Sequence, residues 1–488
     1  MSVQVAVCTA AQLFSESLWH ELNSASSIIT NTGAQLAGRL HIPEYQRPYR
    51  WSSEQISALL NDIRQHSERL KQTKNHDLSY YLGSLILHQN EGRLNIIDGQ
   101  QRVTTLALLT SLLHPENNSF AAVQEGLSFE HEISQQQILK NLNWLRSFFR
   151  NSAENWRDHV DLNKLQFSLV ITQSEDDAYR FFETQNTGGR RLSGPDIIKA
   201  HHLRAIKDLY FQKHFALHWE SLGRLDDVVG SLLRGRYWQQ INMRELPSHR
   251  QANAMRSCVV AELAEDTGAY SEDVAYGRNR ITTGLAGEVS QHFAQQGYDV
   301  RQPLNAGVNT IRYLAYFQEL DQRYWEKLHL PHLAEYQRFI EWLKGLKGCG
   351  YLADLYRACL LIYISQFGED RLETAAKKLF RVVYSRRLSN QKAVRENSIP
   401  AFIRESPVLD WIALSYTPEQ CFDRLDNFEL EVNESNIKDN SVKRRFLLAS
   451  CDFFKLDLKD SLKQNSLEPN EIAAHFKEEL DFAIRALK

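Results

Sequence analysis

The sequence contains no C-x-x-C pair. Its six cysteines, Cys8, Cys258, Cys349, Cys359, Cys421 and Cys451, are scattered singly. That excludes a zinc knuckle, argues against a disulfide frame, and is the pattern of reduced cytoplasmic thiols. There is no G-x-x-x-x-G-K-[ST] loop and no G-x-S-x-G elbow, so a nucleotide site here is not of the P-loop kind. The histidines form no metal signature: His201 and His202 are adjacent and point to different sides of a helix. The start lacks the basic residues and long apolar run of a signal peptide. The most apolar window, Leu352 to Phe367, contains Asp354 and Arg357 and is too short to span a bilayer, so it is expected to be a buried helix. A cytoplasmic protein with no membrane segment is the expectation. A net charge of −3 excludes a uniformly basic nucleic-acid binder and leaves room for a local basic groove. There is no internal repeat and no low-complexity tail.

With 488 residues, 43% apolar and 24% charged, the chain has enough material for more than one core of an ordinary globular protein. Leu13, Phe14, Leu18 and Leu22 predict helix within 10–32, and Leu40 to Tyr45 reads as a short strand held to an edge by Pro43. Ser52 or Ser53 caps a helix carrying Ile56, Leu59, Leu60 and Ile63. Tyr80 to His88 and Arg93 to Ile97 pair as a hairpin through Gln89-Asn90-Glu91-Gly92, with Asp98 delivered to the hairpin tip. Ile138, Leu142, Leu145 and Phe148 mark a helix. Leu165 to Thr172 alternates as a strand, and Asp176 to Gln185 reads as helical. Ser193-Gly194-Pro195-Asp196 starts another helix, with Ser193 as cap. Glycines dot residues 265–303, a candidate flexible insert, and helix is expected from Asn305 onward. The fold class expected is α+β, a small mixed-sheet domain over 1–220 followed by a mainly helical region over 221–488.

The stretch Arg93 to Leu106 carries the chemistry. Ile96-Ile97 suits a buried strand, Asp98-Gly99 breaks it, and Val103, Leu106, Leu109 and Leu113 return at helical spacing. Gln100, Gln101 and Arg102 therefore fall on a first helical turn, where amides lack helical partners and the dipole favours an anion. Asp98 fits a metal ligand, a water-orienting base or a ribose contact, and equally a simple helix cap.

Asp98-Gly99-Gln100-Gln101-Arg102, followed by Val103-Thr104-Thr105-Leu106, resembles the DGQQR signature of the N-terminal domain of GmrSD-type modification-dependent restriction proteins. Upstream, Ile42-Pro43-Glu44-Tyr45-Gln46-Arg47-Pro48-Tyr49-Arg50-Trp51 resembles that family's IPxYQRxYxW segment. Downstream, the stretch from Phe182-Glu183-Thr184-Gln185-Asn186 through Leu192-Ser193-Gly194-Pro195-Asp196-Ile197-Ile198-Lys199 resembles its FExxNxxGxxLSxxDxIK segment. The resemblance implies a ParB/sulfiredoxin-like domain whose turn holds a nucleotide phosphate chain. It further implies catalytic roles for Asp98, Gln100, Gln101 and Arg102, and nucleotide contacts from Gln46, Arg47, Gly99, Thr104, Asn186 and Lys199. Mg²⁺ held by Asp98 and a nucleoside triphosphate as substrate or switch ligand complete that expectation.

Each residue also has a plainer account. Asn186 and the glycines after it suit a helix C-cap, Asp196 a capping box, Lys199 a pair with Asp196, and Tyr49 and Trp51 a core or pocket wall. Two basic–aromatic stretches, Arg234 to Trp238 with Arg244, and Arg381, Tyr384, Arg386, Arg387, Lys392 and Arg395, fit buried aromatic stripes on solvated helices better than nucleic-acid contacts. Many relatives append a His-Asn-His nuclease, and the end of this sequence, with Cys451-Asp452-Phe453-Phe454 and Ala474-His475-Phe476, offers no such pattern. The expectation is a regulatory, NTP-hydrolysing sensor subunit of an anti-phage restriction-type system. DNA is an expected partner, directly or through a partner protein, and a separately encoded nuclease a further one. The alternatives are a DNA- or protein-binding sensor switched by nucleotide without turnover and, third, an autonomous endonuclease. The base of the nucleotide and the oligomeric state are not legible.

Overall fold

A computed structural model describes residues 3–15, 18, 27–43, 45–73, 78–115, 127, 129, 132–174, 177–178, 194–240, 243–248, 251–265, 272–391, 394–437, 441–464 and 466–487. The chain divides into two compact units, Met1–Leu192 and Ser193–Lys488, against an expected division at residue 220. The architecture is α+β: a mixed sheet in the first unit and a largely helical second unit.

The first unit is built on strands β1 (Val3–Thr9), β2 (Ile28–Ile29), β3 (Gln35–Leu36), β4 (Arg39–His41), β5 (Tyr80–Asn90), β6 (Arg93–Asp98) and β7 (Leu165–Thr172). Five of them form one sheet in the order β1-β7-β5-β6-β4. β5 pairs parallel with β7, β4 parallel with β6, and the β1–β7 and β5–β6 pairs are antiparallel. Strand β1 was not expected. The helix foreseen within 10–32 is, among the described residues, only α1 (Ala10–Leu13), followed by the β2–β3 pair. The strand expected over Leu40 to Tyr45 ends at His41, just ahead of Pro43.

The β5–β6 hairpin forms as expected. Glu91 and Gly92 both take positive φ, 48° and 73°, the mirror-image turn whose twist matches its flanking strands. Asp98 does not lie at that turn. It ends β6 at the hairpin's open end, opposite Ile86.

One face of the sheet is apolar. Leu85, Leu87, Leu94, Ile96, Phe167 and Leu169 pack with Ile56, Leu60 and Ile63 of α2 (Ser53–Thr73), Val103 and Leu106 of α3 (Gln100–Leu113), and Leu145 of α4 (Glu132–Asn151). Each such side chain contributes about 1.5–3 kcal/mol on burial. Helix α2 starts as predicted: the Ser52 hydroxyl accepts from the Glu54 amide, and Gln55 reaches back to the Ser52 amide at 2.8 Å. The expected helix over Asp176 to Gln185 and the Ser193 cap lie outside the described residues, apart from 177–178.

In the second unit the helices Gly350–Phe367 and Leu372–Ser389 are buried along most of their length. Residues 265–303, expected as a flexible insert, contain a hairpin of β8 (Tyr276–Thr283) and β9 (Val289–Gly297). Its glycines make the turn, where Gly287 has φ +86°. No helix of the described residues is long and apolar enough to cross a membrane.

Candidate functional site

Two irregularities in the ladder build the strand–turn–helix element. Leu87 pairs with Ile96 while Ile86 pairs with Asp98, so Ile97 is an extra residue on β6. The bulge accounts for two consecutive isoleucines both being buried. The Ile97 carbonyl accepts from Gln46 Nε2 at 3.0 Å. On β5, Tyr81 pairs with Gln166 and Gly83 with Phe167, so Leu82 is extra in the same sense. Its carbonyl accepts from Arg102 Nη1 at 2.8 Å, and the Ser84 carbonyl accepts from Arg102 Nη2 at 2.8 Å.

Two glycines permit this close approach. Gly99 has φ +94°, and a Cβ there would lie 2.1 Å from Leu85 Cδ2; Gly83 has φ +105°, and a Cβ there would lie 2.1 Å from Arg102 Nη1. Gly99 is the cap residue of α3, and no side chain caps that helix. The capping role considered for Asp98 therefore does not occur. Its carboxylate stands 3.5 Å from Arg102 Nη2 and is a quarter exposed.

The upstream motif segment is stitched onto this element. Gln100 Nε2 donates to the Arg47 carbonyl at 3.1 Å. Gln101 Oε1 accepts from the amides of Arg50 and Trp51 at 2.8 and 3.2 Å, while its Nε2 donates to the Pro48 carbonyl at 3.1 Å. The Tyr49 hydroxyl meets Thr105 Oγ1 at 2.8 Å and accepts from Asn141 at 3.2 Å. Burial pushes its pKa up. Gln137 and Asn141 of α4 both donate to the Trp51 carbonyl. Tyr49 is thus core, as its aromatic character suggested.

After this network is satisfied, a few groups remain unspent. Gln100 Oε1 and Thr104 Oγ1 are buried without a hydrogen-bond partner, one helical turn apart on α3. Residues four apart share a helix face, and buried polar atoms of this kind are normally satisfied by water or a ligand. The Arg47 guanidinium makes no hydrogen bond or ion pair among the described residues. Arg102 and Gln101, by contrast, are largely committed to backbone carbonyls and amides.

The geometry adds residues that sequence reasoning missed. Ser84 and Ser168 are register partners, and the hydroxyl of the exposed Tyr81 lies 3.2 Å from Ser84 Oγ. The phenol pKa is held below its ordinary value by hydrogen bonds with Ser168 and Ser84, with the Arg102 guanidinium adding to the effect. Alternation was the available signal: with Phe167, Leu169 and Ile171 inward, Ser168 had to face the other side.

Not every expected residue joins this cluster. Lys199 lies on α5 (Gly194–Ala205) of the second unit, where it is buried and bonds Glu220 at 2.5 Å. Asn186 lies outside the described residues. In the second unit Arg236 is held by Glu262 and the carbonyls of Val300 and Gln302, and Arg381 by Asp481 and the carbonyls of Leu425 and Phe428. Arg236 and Arg381 are therefore structural, and they lie buried rather than on the solvated helix face that the plainer account expected. No group of three His, Cys, Asp or Glu able to hold a metal occurs among the described residues.

A polar strand–turn–helix junction on a small mixed sheet, with a second motif segment bonded across it, is the class of element the first unit presents. Residues 26–203 match the family model of the GmrSD restriction endonuclease, N-terminal domain, and the chain carries a domain of that restriction family. Residues 211–440 match a family of unknown function, DUF7834. No curated protein matches the chain.

Proposed function

We propose that the first unit binds a nucleoside triphosphate at the turn between β6 and α3 and hydrolyses it, as the regulatory component of a restriction-type defence system. The observation that carries this is the division of labour within the motif. Gln101, Arg102 and Gln46 fix the backbone, while Asp98, Gln100 Oε1, Thr104 Oγ1 and the Arg47 guanidinium are left to meet a ligand. The uncapped first turn of α3 suits phosphate oxygens, and Arg47 adds a positive charge. Gln100 Oε1 is an acceptor, so it suits the O–H of an attacking water rather than a phosphate oxygen. That water forms the new P–O bond as the bond to the leaving diphosphate oxygen breaks, releasing inorganic phosphate.

Mg²⁺ fits this donor set in one specific sense. Among the described residues of the turn, Asp98 is the carboxylate available, and Mg²⁺ is commonly held by one or two carboxylates together with substrate phosphates. Asp98 would hold the ion, which when bound neutralises phosphate charge. DNA cutting is assigned to a separately encoded nuclease partner. Lys199 is not given a nucleotide contact, since Glu220 already satisfies its charge.

The test is phosphate release from each common ribonucleotide with Mg²⁺, by the full chain and by Asp98→Ala and Arg47→Ala. Turnover lost with Asp98→Ala and weakened with Arg47→Ala supports the proposal; turnover indifferent to both sinks it. A second reading has its own observation. Because Gln101 and Arg102 are spent on the backbone, the site is short of groups for chemistry, which favours a nucleotide-operated switch that turns over slowly or not at all. Nucleotide-dependent DNA retention without phosphate release would select that reading.

A further inference from the structure

The face of the sheet turned away from its helices continues the turn site. Asp98 stands directly opposite Ile86 across the antiparallel β5–β6 pair, and residues so paired point to the same face. Ser84, two residues before Ile86, shares that face by alternation and is diagonal to Asp98, about 7–8 Å away. The row runs on across the sheet, because Ser84 pairs with Ser168 and Ser168 with Val7. Asp98, Ser84, Ser168 and Val7 therefore lie opposite the face of Leu85, Leu87 and Leu169, which belong to the core. Ile86 is fully buried, but Tyr81 is 58% exposed and Val7 62%, so the uncovered part of this face begins beside the turn.

Tyr81 combines restraint with exposure. Its hydroxyl lies 3.2 Å from Ser84 Oγ and also bonds Ser168. The Arg102 guanidinium, bound to the carbonyls on either side of Gly83, stands near enough to favour the ionised phenol. A single exposed aromatic is ordinary on a protein surface, but this one is held at its polar tip, on the face that carries Asp98, with most of its area left to solvent. A ring fixed before its ligand arrives loses little conformational freedom on contact, and nucleobases stack on exposed aromatic rings. We propose that Tyr81 is the platform on which the base of the bound nucleotide stacks, with Ser84 and Ser168 fixing the ring and Val7 extending the apolar floor beside it. The phosphates stay at the β6–α3 turn, and the ribose crosses from Asp98 toward Ser84. This rests on the nucleotide reading of the turn and adds to it the manner of base recognition. Stacking is something every base supplies, so this contact discriminates weakly among them.

Isothermal titration of the full chain with Mg²⁺ tests it, using β,γ-methylene analogues of ATP, GTP, CTP and UTP, which carry a base, and inorganic tripolyphosphate, which does not. Tyr81→Ala should weaken each analogue about tenfold, while tripolyphosphate binds as it does to wild type. Tyr81→Phe should bind the analogues close to wild type, since it retains the ring. Equal analogue affinity in wild type and Tyr81→Ala would overturn the platform and leave the turn site standing. A Tyr81→Ala loss as large for tripolyphosphate as for the analogues would also overturn it, making Tyr81 a support of the turn. So would a Tyr81→Phe loss as large as that of alanine, since the hydroxyl and not the ring would then be the binding group. A wild type that binds neither the analogues nor tripolyphosphate overturns the nucleotide reading itself, and the platform with it.

Discussion

Replacing Gly83 by alanine examines the joint that holds the motif arginine. A Cβ at this position would lie 2.1 Å from Arg102 Nη1, and the backbone sits at φ +105°. The guanidinium is the movable party, so it must leave, and its bonds to the carbonyls of Leu82 and Ser84 go with it. Bonds from a charged donor contribute about 1.5–3 kcal/mol each. Arg102 is a quarter exposed, which puts both at the lower end, about 3 kcal/mol together. An alanine forced to positive φ adds about 1–2 kcal/mol. The expected loss is therefore about 4–5 kcal/mol, read by urea unfolding at pH 7. A double-mutant cycle separates the two contributions: in an Arg102→Met background the same glycine change should cost only the backbone part, about 1–2 kcal/mol. A loss below about 1 kcal/mol in the wild-type background, or equal losses in both backgrounds, would refute the claim that Arg102 is a structural clamp.

Gln101→Ala should cost about 2–3 kcal/mol, because a buried amide leaves the Pro48 carbonyl and the Arg50 and Trp51 amides without it; urea unfolding measures this. His202 is fully buried, donates from Nε2 to the Leu263 carbonyl and accepts from the Gly307 amide at Nδ1. Burial lowers its pKa to about 3. The unfolded chain binds a proton at this residue below about pH 6.5 that the folded chain refuses, so stability is full above that pH and falls on acidification by up to about 1.4 kcal/mol per unit. Unfolding at pH 7 and pH 5 should show this slope, and His202→Leu should remove its share. Arg381→Met should cost about 3–5 kcal/mol, because it removes a buried charged donor from Asp481 and from the Leu425 and Phe428 carbonyls and leaves Asp481 only the 4.0 Å contact with Arg485. Retained stability with lost DNA binding would contradict the structural assignment.

The legible parts of the sequence were those written in local periodicity. The β5–β6 hairpin, strand β7, helix α4 and the long buried helix Gly350–Phe367 all follow from apolar spacing and turn residues. Strand β1 was hidden because it alternates within only seven residues, with Val5 and Val7 exposed, which gives no amphipathic contrast. The motif's position was legible; the division of roles inside it was not. Gln100 and Gln101 are adjacent and identical, and their different fates depend on which carbonyls and amides segment 46–51 brings to them from fifty residues away. No local pattern encodes that meeting. The two bulges are invisible for the same reason, since an extra residue is defined only against its partner strand.

This division changes which variants can identify chemistry. Alanine at Gln101 or Arg102 will abolish any activity of this site whether or not these residues touch a ligand, because both changes release backbone that shapes it. Asp98→Asn and Arg47→Ala are the informative pair. The Asp98 carboxylate has one contact, at 3.5 Å and partly exposed, and an ion pair of that kind contributes about 0–1 kcal/mol. The Arg47 side chain carries no hydrogen bond of the fold among the described residues. Both variants should therefore unfold within about 1 kcal/mol of wild type. A large functional loss in either can then be assigned to a missing ligand contact. The two should also differ in kind: Arg47→Ala is expected to weaken nucleotide binding, and Asp98→Asn to lower turnover with binding retained. If both instead unfolded like Gly83→Ala, these side chains would have structural duties too, and the site as drawn would be wrong.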